Sequence, residues 1–76
     1  MVIIVNGETK EVEDGAAVAD LITSLGLRPE RLAIEVNQAI IRRAAWGSTL
    51  LTEGDRVEIV NFVGGGEQKT NDYSAA

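Results

Sequence analysis

The sequence predicts an α+β domain in which one main helix packs on one face of a mixed β-sheet. Three observations predict this class: an Asn6-Gly7 pair between two extended runs, one apolar stripe with helical spacing, and one long alternating run later in the chain. A chain of 76 residues has room for one small core. One sheet covered by one helix is a simple architecture that buries all three patterns.

The first extended run, VIIV at residues 2–5, is rich in β-branched residues and predicts a strand. It ends at Asn6-Gly7, a strong hairpin signal, because both central residues of a type I′ turn have positive φ. The run at residues 8–12 is more polar and predicts an edge strand with one face in solvent. The chain therefore opens with a β-hairpin.

The helix is predicted from four apolar residues at positions i, i+3, i+4 and i+7, namely Val18, Leu21, Ile22 and Leu25. Gly26 follows them, where a C-terminal capping glycine is expected. Pro29 prevents the helix from continuing. Asp14 lies before the stripe and is a candidate either to cap the helix or to favour the positive end of its dipole.

The second half of the chain predicts mainly strands. Residues 32–36 alternate, Asn37-Gln38 predicts a turn, and residues 39–42 can form a short strand. Residues 43–47 indicate an irregular or single-turn helical link. Residues 48–51 fit either a short strand or a loop. Trp46 is expected to pack against the core, with an interface anchor as the alternative.

The last strand is the clearest one in the sequence. A turn at Glu53-Gly54-Asp55 precedes residues 56–63, in which Val57 and Ile59 are expected to face the core. The sequence therefore predicts four to five strands on one main helix. The first hairpin and the last strand can pair as central neighbours, which is the arrangement of a β-grasp.

The composition changes after residue 63 and divides the chain into three parts. Residues 1–63 form the folded domain, residues 64–66 are three glycines that form a flexible arm, and residues 67–76 are expected to be a disordered tail. From composition alone the glycines suit a linker. A phosphate-binding loop is disfavoured because no helix start follows. The third alternative is a thin arm that enters another protein's cleft, since glycine fits where side chains clash.

The composition also excludes several kinds of function. The chain has no Cys and no His, which removes thiol nucleophiles, the commonest metal ligand and the usual general base. The sequence therefore predicts neither an enzyme nor a metal site. The net charge of −5 disfavours nucleic acid. No apolar run reaches the ~20 residues that span a bilayer. We expect a cytoplasmic protein that is a monomer when free.

Residues 1–66 resemble the ThiS family of sulfur carrier proteins in thiamine biosynthesis, which has a ubiquitin-like β-grasp fold. The resemblance lies in the order and spacing of six segments across the whole domain. They are the first strand into Asn6-Gly7, Gly15-x-x-Val18 before Leu21-Ile22, Ala33-Ile34-x-Val36-Asn37, Ile41-x-Arg43-x-x-Trp46, Glu53-Gly54-Asp55, and Val57-Glu58-Ile59-Val60-x-Phe62-Val63-Gly64-Gly65-Gly66.

This resemblance implies a carrier function with three partners. A ThiF-type, E1-like adenylyltransferase would use Mg-ATP to adenylate the terminal glycine carboxylate, and a sulfur donor protein would convert it to a thiocarboxylate. A ThiG-type thiazole synthase would then accept the sulfur. The carrier itself would bind no cofactor. Related alternatives are a sulfur carrier for another pathway, such as the molybdopterin-like one, and a β-grasp interaction module that is never activated.

The resemblance also implies roles for particular residues. Gly66 would carry the adenylate and then the thiocarboxylate, and Gly64 and Gly65 would form the arm. The expected partner-binding residues are Val60, Phe62, Val63, Arg42 and Arg43; for the two arginines, surface solubility is the alternative. The sequence departs from the family where Glu67 follows Gly66, since Gly66 is then held in a peptide bond. Residues 67–76 are expected to be removed before activation or to be foreign to the natural protein.

Overall fold

The chain forms six strands, one α-helix and two single-turn 3-10 helices within residues 1–63 and 66–68, the residues that the computed structural model describes. The strands are β1 (Val2–Val5), β2 (Glu8–Glu11), β3 (Leu32–Val36), β4 (Ala39–Ile41), β5 (Arg56–Val63) and β6 (Gly66–Gln68). The helix is α1 (Val18–Leu25), and the 3-10 helices are Pro29–Arg31 and Arg43–Ala45.

The sheet has the strand order β2-β1-β5-β3-β4, and β6 pairs with β5 outside this path. β1 and β5 are parallel neighbours at the centre, whereas the other pairs are antiparallel. The predicted pairing of the first hairpin with the last strand is therefore confirmed. β6 was not predicted, and it includes Glu67 and Gln68, which the sequence assigns to a disordered tail. The other tail residues, 69–76, and Gly64 and Gly65 lie outside the described residues.

Both predicted turns between antiparallel strands are confirmed by their backbone angles. Asn6 and Gly7 have φ of 48° and 86°, and Asn37 and Gln38 have φ of 52° and 72°. Positive φ at both central residues gives the backbone twist that joins two right-twisted strands through a two-residue loop. These two turns fix the registers of β1 with β2 and of β3 with β4.

The apolar stripe of α1 faces the sheet as predicted, with Val18, Leu21 and Ile22 buried. Gly26 ends the helix with φ of 71°, in the left-handed region. The predicted cap, however, is wrong. Ala17 is the N-cap residue, and the Asp20 carboxylate accepts a hydrogen bond of 2.8 Å from the backbone N–H of Ala17. Asp14 instead lies 3.2 Å from the N-terminal ammonium group.

Trp46 is a core residue, which confirms its predicted packing role. Its exposed fraction is 4%, and its Nε1 donates a hydrogen bond of 2.9 Å to the carbonyl oxygen of Ile41. The segment after it packs on the start of α1, where the N–H of Val18 donates to the Thr49 carbonyl at 2.9 Å. The residues numbered 48–51 are therefore mainly a loop, and only Leu50 forms an isolated bridge with Ala17.

The turn before β5 is organised by the Asp55 carboxylate. It accepts hydrogen bonds from the Asn37 side-chain amide at 3.0 Å, and from the N–H and hydroxyl of Thr52 at 2.8 and 2.9 Å. Partial burial raises the pKa of Asp55, but these three hydrogen bonds outweigh it and hold the pKa below its usual value. The carboxylate thus ties the start of β5 to the turn between β3 and β4.

The lowered pKa of Asp55 predicts a pH dependence of stability. A carboxylate with a lowered pKa stabilises the fold above its unfolded pKa of about 3.9 and loses this contribution as the pH falls through the folded pKa. Denaturant unfolding should therefore show a steeper fall in the free energy of unfolding from about pH 5 to about pH 3 for the unchanged chain than for Asp55→Asn. Parallel pH curves for the two proteins would contradict this account.

Candidate functional site

β5 is the element that leads to the glycine segment, and its two faces differ in burial. Val57 and Ile59 are buried, with exposed fractions of 0% and 2%, as predicted. Val60 and Phe62 lie on the opposite face and are half-buried. The side chain of Val63 lies outside the described part of the structure. One face of β5 therefore fixes the strand to the core, while the other lies on the sheet face away from α1.

The sheet face opposite α1 contains a shallow groove lined by residues of β3, β5 and the turn after β3, namely Glu35, Asn37, Gln38, Arg56, Glu58 and Val60. The register places Ala33 opposite Val60 and Glu35 opposite Glu58. Ile40, opposite Glu35 on β4, is 74% exposed. This face thus combines the exposed side chain of Ile40 and the half-buried side chain of Val60 with two carboxylates.

Sequence reasoning found only part of this surface. It singled out Val60 and Phe62, but it missed Ile40 and the facing pair of Glu35 and Glu58. Alternation within β3 could have assigned Glu35 to the outer face. The pairing of Glu35 with Glu58 depends on the register between two strands that are distant in the chain.

Arg42 and Arg43 lie at the same end of the sheet as the end of β5. They directly follow β4, which runs antiparallel to β3, and the first residue of β3 is paired with Asn61 of β5. Both arginine side chains are exposed. The fold therefore brings these two arginines to the end of the sheet at which β5 ends, whereas Val60 lies three residues before that end, within the groove.

Asn6 has a role at β5 that its turn position does not reveal. Its side-chain oxygen accepts a hydrogen bond of 2.7 Å from the N–H of Ile59, and its side-chain nitrogen donates to the Ile59 carbonyl at 3.3 Å. The Asn6 amide thereby continues the pairing of β5 beyond the end of β1. The Asn-Gly signal predicts the turn, but not this contact across 53 residues of sequence.

The described residues contain no group of three or more acidic side chains that could hold a metal ion. No described helix is long and apolar enough to cross a membrane. Every buried side-chain nitrogen and oxygen in the described part of the chain has a hydrogen-bond partner.

A sequence profile described as the ThiS family matches residues 3–66 of the chain. The chain belongs to the ThiS family. The match ends at the third glycine, Gly66, directly before the segment predicted as a tail. Family membership supports the prediction of a carrier rather than an enzyme.

Similar proteins include two curated members of the ThiS family. The sulfur carrier protein ThiS of Bacillus subtilis is 35% identical over 78% of this chain and 89% of its own length. The sulfur carrier protein ThiS of Escherichia coli is 27% identical over 87% of this chain and its own full length. The crystal structure of the ThiS protein of Geobacter metallireducens has a TM-score of 0.75, 32% identity and coverage of 87% of this chain and 100% of that one. The predicted ubiquitin-like β-grasp fold is thereby confirmed.

A thiazole synthase of Magnetococcus marinus is also similar, at 39% identity over 95% of this chain. A second thiazole synthase, from Paramagnetospirillum magneticum, is 29% identical over the whole chain. The chain spans only 22% and 24% of the lengths of these two proteins. A ThiS-like segment therefore occurs within proteins named for the synthesis of a thiazole.

Proposed function

We propose that this chain is a sulfur carrier whose third glycine, Gly66, carries sulfur as a thiocarboxylate for the synthesis of the thiamine thiazole. The observation that supports this most strongly is the match of the ThiS family to residues 3–66, which ends on Gly66. The similarity to two thiazole synthases supports thiazole formation as the destination of the sulfur. We place this activity in the cytoplasm.

The proposed chemistry takes place at the carboxyl carbon of Gly66. A ThiF-type adenylyltransferase would use Mg-ATP to join this carboxylate to AMP, with release of pyrophosphate. A sulfide-level sulfur from a donor protein would then attack the carbonyl carbon, AMP would leave, and a thiocarboxylate would remain. Adenylation is needed because a carboxylate oxygen is a poor leaving group. The carrier contributes no acid or base, which fits a chain without His or Cys.

The open sheet face is the proposed docking surface for the adenylyltransferase and for a ThiG-type thiazole synthase. Val60 and Phe62 would supply apolar contacts on this face, and Val63 would contact the partner at the end of β5, beside the glycines. Arg42 and Arg43 would contact the partner at the same end of the sheet. The exposed side chain of Ile40 beside the half-buried Val60 and Phe62 supports this role. Because two enzymes would use the carrier in turn, we expect each complex to be transient.

Activation requires a free carboxylate, and in this sequence Gly66 is followed by Glu67. The Gly66 carbonyl carbon is therefore part of an amide, which cannot be adenylated as a carboxylate can. We propose that cleavage of the Gly66–Glu67 bond precedes activation. The second candidate function, a β-grasp interaction module that is never activated, is favoured by the same peptide bond.

The proposed function predicts a defined change in mass. A chain ending at Gly66, incubated with an active ThiF-type adenylyltransferase from its own organism, Mg-ATP and sulfide, should gain about 16 Da as one oxygen is replaced by sulfur. The matched control is the 76-residue chain, which should gain nothing because its Gly66 is an amide. Intact-mass spectrometry measures both.

Two outcomes would contradict the proposal. The first is no mass gain in the chain ending at Gly66 while the enzyme activates another ThiS protein in the same assay. The second concerns the protein isolated from its native cell. If all of that protein retains Glu67 bonded to Gly66, the interaction module is favoured over the carrier.

A further inference from the structure

One edge of β5 is covered by three different partners in succession. Backbone groups of alternate residues in a strand point to opposite edges. The backbone of Arg56 faces the β3 side. Its N–H donates to the side-chain oxygen of Asn37 at 3.0 Å, and its C=O accepts the backbone N–H of Asn37 at 2.7 Å. The backbone of Val57 faces the other side, where its C=O accepts the N–H of Asn6 at 2.9 Å. Odd-numbered residues of β5 therefore present their backbone groups to the β1 edge.

β1 covers only the first part of this edge, because its register with β5 ends at Val57. The side chain of Asn6 then forms hydrogen bonds with both the N–H and the C=O of Ile59. Farther along, β6 pairs with β5, with Gln68 opposite Asn61 and residues 66 and 67 opposite residues 63 and 62. The backbone N–H and C=O of Asn61 are thus covered by the segment that follows the glycines.

The pairing of β6 is well suited to be displaced. β6 is three residues long and is joined to β5 by the two residues numbered 64 and 65. A hairpin of this size is marginal in water by itself. Its short connection nevertheless gives it a high effective concentration at the edge. An extended segment of another protein could replace it, provided that this protein also engages the carrier elsewhere.

We propose that the β5 edge at residues 61–63 is a strand-acceptor site, which β6 occupies in the uncleaved chain and an extended segment of the activating enzyme occupies once the chain ends at Gly66. The inference rests on the proposed function, because the cleavage after Gly66 that activation requires also removes Gln68. Cleavage leaves the edge-facing backbone groups of Asn61 without their partner. An added strand would satisfy these groups, as in recognition by β-augmentation.

The occupancy of the edge is tested by amide hydrogen exchange on the 76-residue chain and on a chain ending at Gly66. In the shortened chain the N–H of Asn61 should exchange about tenfold faster, because Gln68 no longer covers it. The N–H of Val60, which faces β3, and the N–H of Ile59, which bonds Asn6, should keep their rates. Equal rates at Asn61 in both chains would overturn the inference.

The use of the edge by the enzyme is tested with Asn61→Pro in the chain ending at Gly66. Proline removes the N–H that faces the edge. The hydrogen bonds between β5 and β3 are kept, because the N–H of residue 61 does not face β3. In ATP–pyrophosphate exchange catalysed by the organism's own ThiF-type adenylyltransferase, the KM for the carrier should rise about tenfold while kcat is retained, since only binding is weakened. An unchanged KM would overturn the use of this edge in activation.

The matched control is Thr9→Pro on β2, at the free edge of the same sheet. The N–H of Val12 donates to the Met1 carbonyl, so even-numbered residues of β2 face β1 and the N–H of Thr9 faces solvent. This variant should keep the KM of the unchanged chain, and thermal unfolding should show both proline variants folded. If the unchanged chain ending at Gly66 is not activated, the proposed function fails, and hydrogen exchange still decides the occupancy of the edge.

Discussion

Replacing Gly65 with alanine in a chain ending at Gly66 is expected to lower kcat/KM for adenylation about 100-fold, because a small displacement of a reacting group can cost this much. The proposed reaction needs the backbone to pass through a narrow cleft of the enzyme. A Cβ atom beside the reacting residue would clash there, and it would also restrict a backbone that glycine leaves free. The rate of pyrophosphate exchange measures the effect.

Gly47→Ala is the matched control for this prediction. Gly47 lies in a loop, its φ is outside the positive region, and a Cβ built on it meets no atom within 4 Å. The substitution therefore adds the same methyl group at a place without a proposed role. Both variants should unfold at the temperature of the parent chain. A Gly65→Ala chain that is adenylated as fast as Gly47→Ala would contradict the role of the arm.

Replacing Trp46 with alanine is expected to remove most of the free energy of unfolding. Truncation of a buried Trp or Phe to Ala costs about 3–5 kcal/mol, through lost transfer free energy and the cavity that remains. A domain of this size has a total stability of about 5 kcal/mol or a little more. The segment after Trp46 also supplies the carbonyl that accepts the N–H of Val18 at the start of α1. Far-ultraviolet circular dichroism with urea unfolding measures the loss.

Trp46→Phe separates the packing of Trp46 from its hydrogen bond. Phenylalanine keeps most of the ring but cannot donate to the Ile41 carbonyl, which accepts from Nε1 at 2.9 Å. Loss of the donor to this part-buried acceptor costs about 1 kcal/mol, so this variant should be destabilised but folded. If Trp46→Ala were as stable as Trp46→Phe, the indole would not be the core element that its burial indicates.

The local features of the fold were predictable because neighbouring residues specify them. The Asn6-Gly7 turn needs positive φ at two consecutive positions, and the residues that accept this conformation are few. The face of β5 that carries Val57 and Ile59 followed from alternation. The cap of α1 was predicted wrongly, because Asp14 and Asp20 both precede or begin the helix and the sequence does not distinguish them. The geometry selects Asp20, which lies in the first turn of the helix.

The sequence by itself determined the fold class, the positions of the turns and the glycine segment as the end of the ThiS-like domain. Only the tertiary structure decided which surfaces meet. It placed Glu35 opposite Glu58, brought Arg42 and Arg43 to the end of the sheet, and joined Asn6 to Ile59. The physical reason is distance along the chain. Alternation and turn chemistry act between neighbouring residues, whereas register and edge coverage depend on strands as far apart as Asn6 and Ile59.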